Sequence, residues 1–221
     1  GLRAQFCPSG LLFGSAVHEA LATYHQGRLE GKERLLSHLM KGFDSCWDRE
    51  GLPVEFKSGE SRPSLRSLAK RMLETYLETR EENGRVLAVE EPFEVTLGKG
   101  LPPVWGRIDL VESGDEGVVL TDFKTASSRR EPAPEQLLLY REALESLAVA
   151  GSGDILARYV VLTKTSRPEV LAFEVDGEGA GLDRLVNLYR AAWEDIRKGC
   201  SFPRTGWWCR GCQWAAHCDQ T

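Results

Sequence analysis

Gly106-Arg107-Ile108-Asp109-Leu110 and, after an acidic turn, Val118-Val119-Leu120-Thr121-Asp122-Phe123-Lys124-Thr125 are the stretch on which the fold turns. The second run is rich in β-branched residues, and a Ser113-Gly114-Asp115 turn separates it from the first, the pattern of strands. Side chains alternate along a strand, so Asp122 and Lys124 share a face while Phe123 turns to the other. Twelve residues separate Asp109 from Asp122. If the two strands pair as a hairpin through residues 113–117, the carboxylates come close enough to hold one divalent cation, and Mg²⁺ wants such oxygen ligands. Lys124 would then face the attacking water or the developing phosphorane charge. That is the equipment of phosphodiester hydrolysis. A lone Asp-x-Lys, by contrast, reads more readily as an edge-strand ion pair beside a solvated Asp109.

Outward from this pair, helical and strand patterns alternate. Gly14-Ser15 offers a helix start, and Ala16, Val17, Ala20, Leu21 and Tyr24 recur at helical spacing. His18 then falls in the first turn, where the helix dipole disfavours its protonated form and a neutral imidazole suits a metal. A second helix opens near Glu33 and runs out before Gly51-Leu52-Pro53; a third covers 64–82. Strands follow at 86–97, 104–111 and 118–123. A helix over 135–148, entered through Pro132 and Pro134, puts Gln136 and Tyr140 on one face. Strands at 156–164 and 170–175 and a helix over 181–198 complete the pattern. Glu90 lies on a strand feeding the core and is a weak candidate for a supporting role. With no internal repeat and no low-complexity linker, the order predicts one α/β domain over 1–221, with a helical insertion at 25–84, a core sheet within 86–180 and a Cys-rich tail at 199–221.

Composition narrows the function. The chain carries 28 Lys+Arg against 33 Asp+Glu, a net charge of −5, which excludes a basic nucleic-acid coat. Residues 81–120 alone hold nine Asp/Glu against three Lys/Arg, so the acidity is local. Arg62, Arg66, Lys70, Arg71, Arg129 and Arg130 are candidates for a phosphate track, or are simply solvated helix and loop charges. No stretch approaches the roughly 20 apolar residues of a membrane helix. Gly1-Leu2-Arg3-Ala4 lacks the apolar core of a signal peptide, and a cytoplasmic location is expected. No Gly-x-x-x-x-Gly-Lys-Ser/Thr phosphate loop is present, so a helicase motor would have to be a separate partner.

The six cysteines are unevenly placed, and Cys209, Cys212 and Cys218 form C-x2-C-x5-C. Three such thiols with a distant fourth can wrap an iron–sulfur cluster or tetrahedral zinc, and the spacing does not choose between them. Cys200 is one candidate fourth ligand, and His217 could serve a zinc site. Cys46, beside Trp47, reads as a small buried hydrophobe. Trp207, Trp208 and Trp214 would shield a metal or simply pack the tail.

Gly-Arg-Ile-Asp109 followed at hairpin distance by Asp122-Phe-Lys124-Thr, with His18 in Gly-Ser-Ala-Val-His and Gln136-Leu-Leu-Leu-Tyr140, resembles the PD-(D/E)XK nuclease superfamily, most closely its RecB-like branch. The resemblance implies a restriction-endonuclease-like core, a mixed central sheet flanked by helices. It implies a Mg²⁺- or Mn²⁺-dependent deoxyribonuclease, a single-strand or DNA-end exonuclease of repair or recombination. Its metal ligands would be His18, Asp109 and Asp122, with Lys124, Gln136 and Tyr140 completing the catalytic set. Cys7-Pro8 matches the remaining ligand of a 4Fe–4S cluster found in AddB-type and CRISPR-associated relatives, giving Cys7, Cys209, Cys212 and Cys218 as the cluster ligands. The implied partners are DNA and a separate helicase, recombination or CRISPR protein. The alternatives are a nuclease-fold DNA-binding module without activity and a CRISPR adaptation nuclease.

Overall fold

A computed structural model describes residues 3–80, 84–114, 117–147, 153–175, 179–200, 205–209 and 211–218. In chain order the elements are β1 (Cys7–Pro8), α1 (Ser9–Leu29), α2 (Leu36–Asp48), β2 (Val54–Glu55), α3 (Arg62–Thr79), β3 (Val86–Val95), β4 (Val104–Ser113), β5 (Gly117–Ala126), α4 (Glu135–Glu145), β6 (Asp154–Thr163), β7 (Val170–Val175), α5 (Gly179–Arg197) and α6 (Ala215–Cys218). The main sheet has the order β3-β4-β5-β6-β7. Its strands are antiparallel except for the β5–β6 pair, so the fold is a mixed sheet flanked by helices.

Each face of the sheet is covered by a different set of helices. On one side α1, α2 and α3 bury Leu21, Phe43 and Leu73 against Leu110, Phe123 and Val160 of the sheet. On the other, α4 buries Leu137 and Leu144 against Ile108, Leu120 and Tyr159. Side chains of this size each contribute about 1.5–3 kcal/mol when fully buried, which is why helices of modest intrinsic propensity hold their places. Gly106 matters to this packing: a Cβ there would come within 2.5 Å of the Phe93 ring, which lies across β4.

The strands form where the alternation predicts them, but three local differences bear on function. First, α1 begins at Ser9, directly behind the N-cap Pro8, rather than at Gly14-Ser15. Pro pre-sets a φ suited to a helix entrance, whereas Gly14 lies in the helix interior facing Thr125 at 3.7 Å. His18 is therefore about one and a half turns further from the N-terminus than expected, and the dipole argument for its neutrality does not apply. The same helix runs without a break through residue 25. Second, Cys7 and Pro8 pair in parallel with Val54 and Glu55, a ribbon too short to leave a periodic signal. Third, the β4–β5 ladder stops at Leu110–Thr121, whereas β5 keeps pairing with β6 through Ala126. The two central strands part, and the gap between them holds the site.

Candidate active site

Where β4 and β5 part, a side chain replaces the missing ladder bond. Asp109 Oδ2 accepts the Phe123 N–H at 2.7 Å, and the same oxygen lies 3.4 Å from Nδ1 of His18 on α1. Burial pulls the His18 imidazole down, but the hydrogen bond and charge of Asp109, with Asp122 behind it, outweigh that and hold it above its ordinary value. The shift runs opposite to the one expected of a histidine at a helix N-terminus.

One residue along β5 from Phe123, Asp122 is 1% exposed. Burial, followed by repulsion from Asp109, pushes its carboxyl up to about 6 against the opposing pull of Lys124. Lys124 Nζ stands 2.7 Å from Asp122 Oδ2 and donates to Gln136 Oε1 at 2.7 Å. It also lies 5.6 Å from the Tyr159 ring. Gln136 Nε2 in turn donates to the Tyr140 hydroxyl at 2.6 Å. Burial pushes that phenol up to about 12, so it stays protonated at neutral pH. The helical spacing of Gln136 and Tyr140 thus becomes a hydrogen-bonded line that ends on Lys124. Tyr140 is held from behind by the Phe93 ring, 5.4 Å away and edge-on.

Among the described residues, three whose ligand atoms lie mutually within 4.8 Å are His18, Glu90 and Asp109. Sequence reasoning placed Asp122 in that group and Glu90 outside it. The structure gathers Glu90 instead, because Asp122 is drawn to Lys124, while Glu90 sits opposite Asp109 between the pairs Val89–Leu110 and Glu91–Ile108. Glu90 has φ of 52°, a left-handed conformation that costs a non-glycine residue on the order of 1–3 kcal/mol. Such backbone outliers cluster at functional sites. In the sequence, Val-Glu-Glu-Pro reads as ordinary strand, and nothing marks the twist. Burial and the charge of Asp109 both raise the Glu90 carboxyl.

An imidazole nitrogen with carboxylate oxygens suits Mg²⁺ or Mn²⁺. Asp122 Oδ2 is a further donor atom, buried and without a well-angled hydrogen bond. The donor set fits a divalent cation. It opens onto a cleft of about 490 Å³ whose lining includes Gly10, Leu11, Ser15, Glu19 and Arg107.

A sequence model of the PD-(D/E)XK nuclease superfamily matches residues 2–219. The chain belongs to that superfamily. Among solved structures, a chain from Eubacterium rectale named "Putative exonuclease" is similar in fold, with a TM-score of 0.53 at 12% identity. The match covers 84% of this chain and 66% of that one, so this chain spans just under two thirds of that relative's length. The structure of SSO0001 matches at a TM-score of 0.43 and 16% identity, covering 100% of this chain and 88% of that one. No curated protein matches this chain in sequence.

The structure does not support the four-cysteine ligand set among the described residues. The tail comes near the N-terminal segment, since the Gln213 amide reaches the Phe6 carbonyl at 3.0 Å. The thiols nevertheless do not converge, and no metal-competent group among the described residues contains a cysteine. Cys7 is buried while Cys209 and Cys218 are exposed. Burial, then the neighbouring Glu50 carboxylate, push the Cys7 thiol up to about 11. The candidate phosphate track is also largely engaged elsewhere. Arg62 pairs with Asp48 at 2.6 Å, Arg66 Nε and Nη2 donate to the two Asp44 oxygens at 2.8 Å, and Arg129 meets Glu169 at 2.5 Å. These read as solvated ion pairs. Among the described residues, no helix is long and apolar enough to cross a membrane.

Proposed function

We propose that the chain is a single nuclease domain acting as a Mg²⁺- or Mn²⁺-dependent deoxyribonuclease on single strands or DNA ends, in repair or recombination in the cytoplasm, beside a separate motor protein. The observation that carries this reading is two sets of contacts that meet at the parted strands: His18 with Asp109 and the Phe123 amide on one side, and Asp122 with Lys124, Gln136 and Tyr140, beginning at the next residue of β5, on the other.

His18, Glu90 and Asp109 would hold the cation, with Asp122 completing the set. When bound, the cation lowers the pKa of an attached water and offsets phosphate charge. The protein's own groups do the rest. Asp109 binds the Phe123 amide and so fixes the opening between β4 and β5. Lys124 presents an ammonium at the mouth of that opening, where charge develops on a phosphoryl group under attack. Gln136 Oε1 accepts a hydrogen bond from one of the ammonium's three N–H groups and Asp122 lies against it, so Lys124 is aimed rather than free to swing. Tyr140 fixes which way round the Gln136 amide sits.

The test is cleavage of end-labelled single- and double-stranded DNA in Mg²⁺ and in Mn²⁺, with Asp122→Ala as control. Metal-dependent cutting that disappears in the variant, while its melting transition persists, supports the reading. Full activity in that variant sinks it. Binding without cutting in either metal favours a DNA-binding module that has kept the nuclease fold.

A further inference from the structure

Trp105 is 67% exposed, an unusual state for the largest apolar side chain and one with no role in either core. It lies on the same strand as Asp109, two alternations away. Side chains on one face of a strand repeat about every 6.6 Å, so Trp105, Arg107 and Asp109 form a row leading into the cleft. Arg107 lines that cleft with His18, Glu90 and Asp109, which fixes the side of the sheet the row occupies. Its side chain is 68% exposed, and its ion pair with Glu90 is long, at 3.7 Å. The step between these residues is comparable to the repeat of an extended nucleotide backbone.

The indole is also held in place. Its Nε1–H donates to Glu94 Oε2 at 2.6 Å, and Glu94 is its direct cross-strand partner on β3. A ring pinned at its polar edge keeps most of its apolar surface in water while losing little freedom on binding a flat partner. Packing into the core could have removed that exposure, and Leu101 and Val95 nearby are buried.

The geometry points to a nucleotide seat on β4 beside the cation site, where Trp105 stacks an unpaired base and Arg107 takes the phosphate between that base and Asp109. The inference rests on the nuclease reading for its substrate and deepens it: the seat selects single strands. A duplex hides its base faces by stacking, whereas a single strand offers them, and every base has a face that an aromatic ring can take. The acidic surroundings, Glu90 and Glu94, also argue against a seat that works by charge alone. Affinity here must come from stacking, with one guanidinium setting the register.

The test uses the full chain and a fluorescein-labelled oligo(dT), with a blunt hairpin duplex as comparison, in EDTA so that nothing is cut. Trp105→Ala is expected to weaken strand binding by roughly 5- to 100-fold, the range of one base–aromatic stack, and to leave duplex binding as it was. Trp105→Phe should recover most of the loss. Arg107→Ala should flatten the dependence of log affinity on log salt by about 0.7, the contribution of one phosphate contact on a single strand. Equal strand affinity in Trp105→Ala and the parent overturns the seat. So does a parallel loss on strand and duplex, or a parent that prefers the duplex. Cleavage in Mg²⁺ or Mn²⁺ is scored separately. A chain that binds through Trp105 yet never cuts removes the nuclease reading and keeps the seat; one that cuts, with Trp105→Ala indistinguishable, does the reverse.

Discussion

Helix α1 carries two histidines seven residues apart, about two turns, and the fold puts them to opposite uses. His18 lies against Asp109 at the mouth of the cleft and is held above its ordinary pKa. His25 is 2% exposed, stacks on Phe123 with centroids 5.6 Å apart and lies 2.7 Å from the Tyr76 hydroxyl. Arg28 Nη1 donates to its Nδ1 at 3.2 Å, so Nε2 carries the proton and donates to Tyr76. Burial, then Arg28, Arg80 and Arg158, push it down to about 3. The same residue type on one helix is thus a metal-competent group at one end and, at the other, a packing element that stays neutral down to about pH 3. What separates them is the charge opposite: carboxylates face His18, guanidinium groups face His25.

The largest expected effect breaks the first environment. Asp109→Asn keeps an oxygen to accept the Phe123 N–H but removes the charge facing His18. Cleavage is expected to fall by about three orders of magnitude or more, equivalent to roughly 4 kcal/mol of barrier, while the melting temperature changes little. Retention of a tenth of the parent rate would show that the carboxylate is structural only.

Breaking the second environment should act on stability. Glu112 is 6% exposed and neutralises Arg28 at 2.6 Å and Arg158 at 3.7 Å. Removing one partner of a buried pair typically costs about 3–5 kcal/mol, because the remaining charge stays buried. Glu112→Ala should lose that much in denaturant unfolding, with cleavage per folded molecule preserved. An unchanged unfolding midpoint would mean that water already screens the two arginines.

The pH dependence sharpens the contrast. His25 takes up a proton near its ordinary value of 6.5 when unfolded but only near 3 when folded. Its contribution to stability is therefore complete above pH 6.5 and lost progressively as pH falls toward 3. Between those limits the unfolded state binds the extra proton, so stability should decline by about 1.4 kcal/mol per pH unit from this group. Stability curves at pH 7 and pH 5 for the parent and for His25→Gln check it; the variant should show the shallower fall, and parallel curves would exclude the assignment.

Much of this was legible in the chain, for identifiable reasons. Period-2 alternation located every strand of the main sheet, and the four-residue spacing of Gln136 and Tyr140 foretold their shared face, because both signals are local. The parting of β4 from β5 was not legible, since it depends on Asp109 replacing a ladder bond to Phe123 across fourteen positions. Glu90 was underestimated for the same kind of reason: its left-handed backbone is imposed by the neighbouring strand and leaves no trace in Val-Glu-Glu-Pro. The start of α1 was misplaced because Gly14-Ser15 looks like a helix entrance, whereas Pro8 supplies it. Spacing groups Cys209, Cys212 and Cys218, and only the resemblance adds Cys7, which is fixed by pairing to β2 and buried in the helical layer.

The smallest expected effect lies between the two environments, in the polar line that reaches Lys124 from α4. Gln136→Ala removes the acceptor for the ammonium and the donor to Tyr140 together, while Asp122 stays 2.7 Å from Lys124 and keeps it in the site. A charge-assisted hydrogen bond is worth about 1.5–3 kcal/mol, but the surviving partner retains part of the aim. A loss of roughly tenfold in kcat/KM is expected, carried by kcat, because the ammonium acts on charge that develops during attack. Tyr140→Phe removes only the contact that orients the Gln136 amide, and should cost less than Gln136→Ala. If Tyr140→Phe costs more, the phenol touches the substrate itself and the line runs from Tyr140 to the DNA rather than to Lys124.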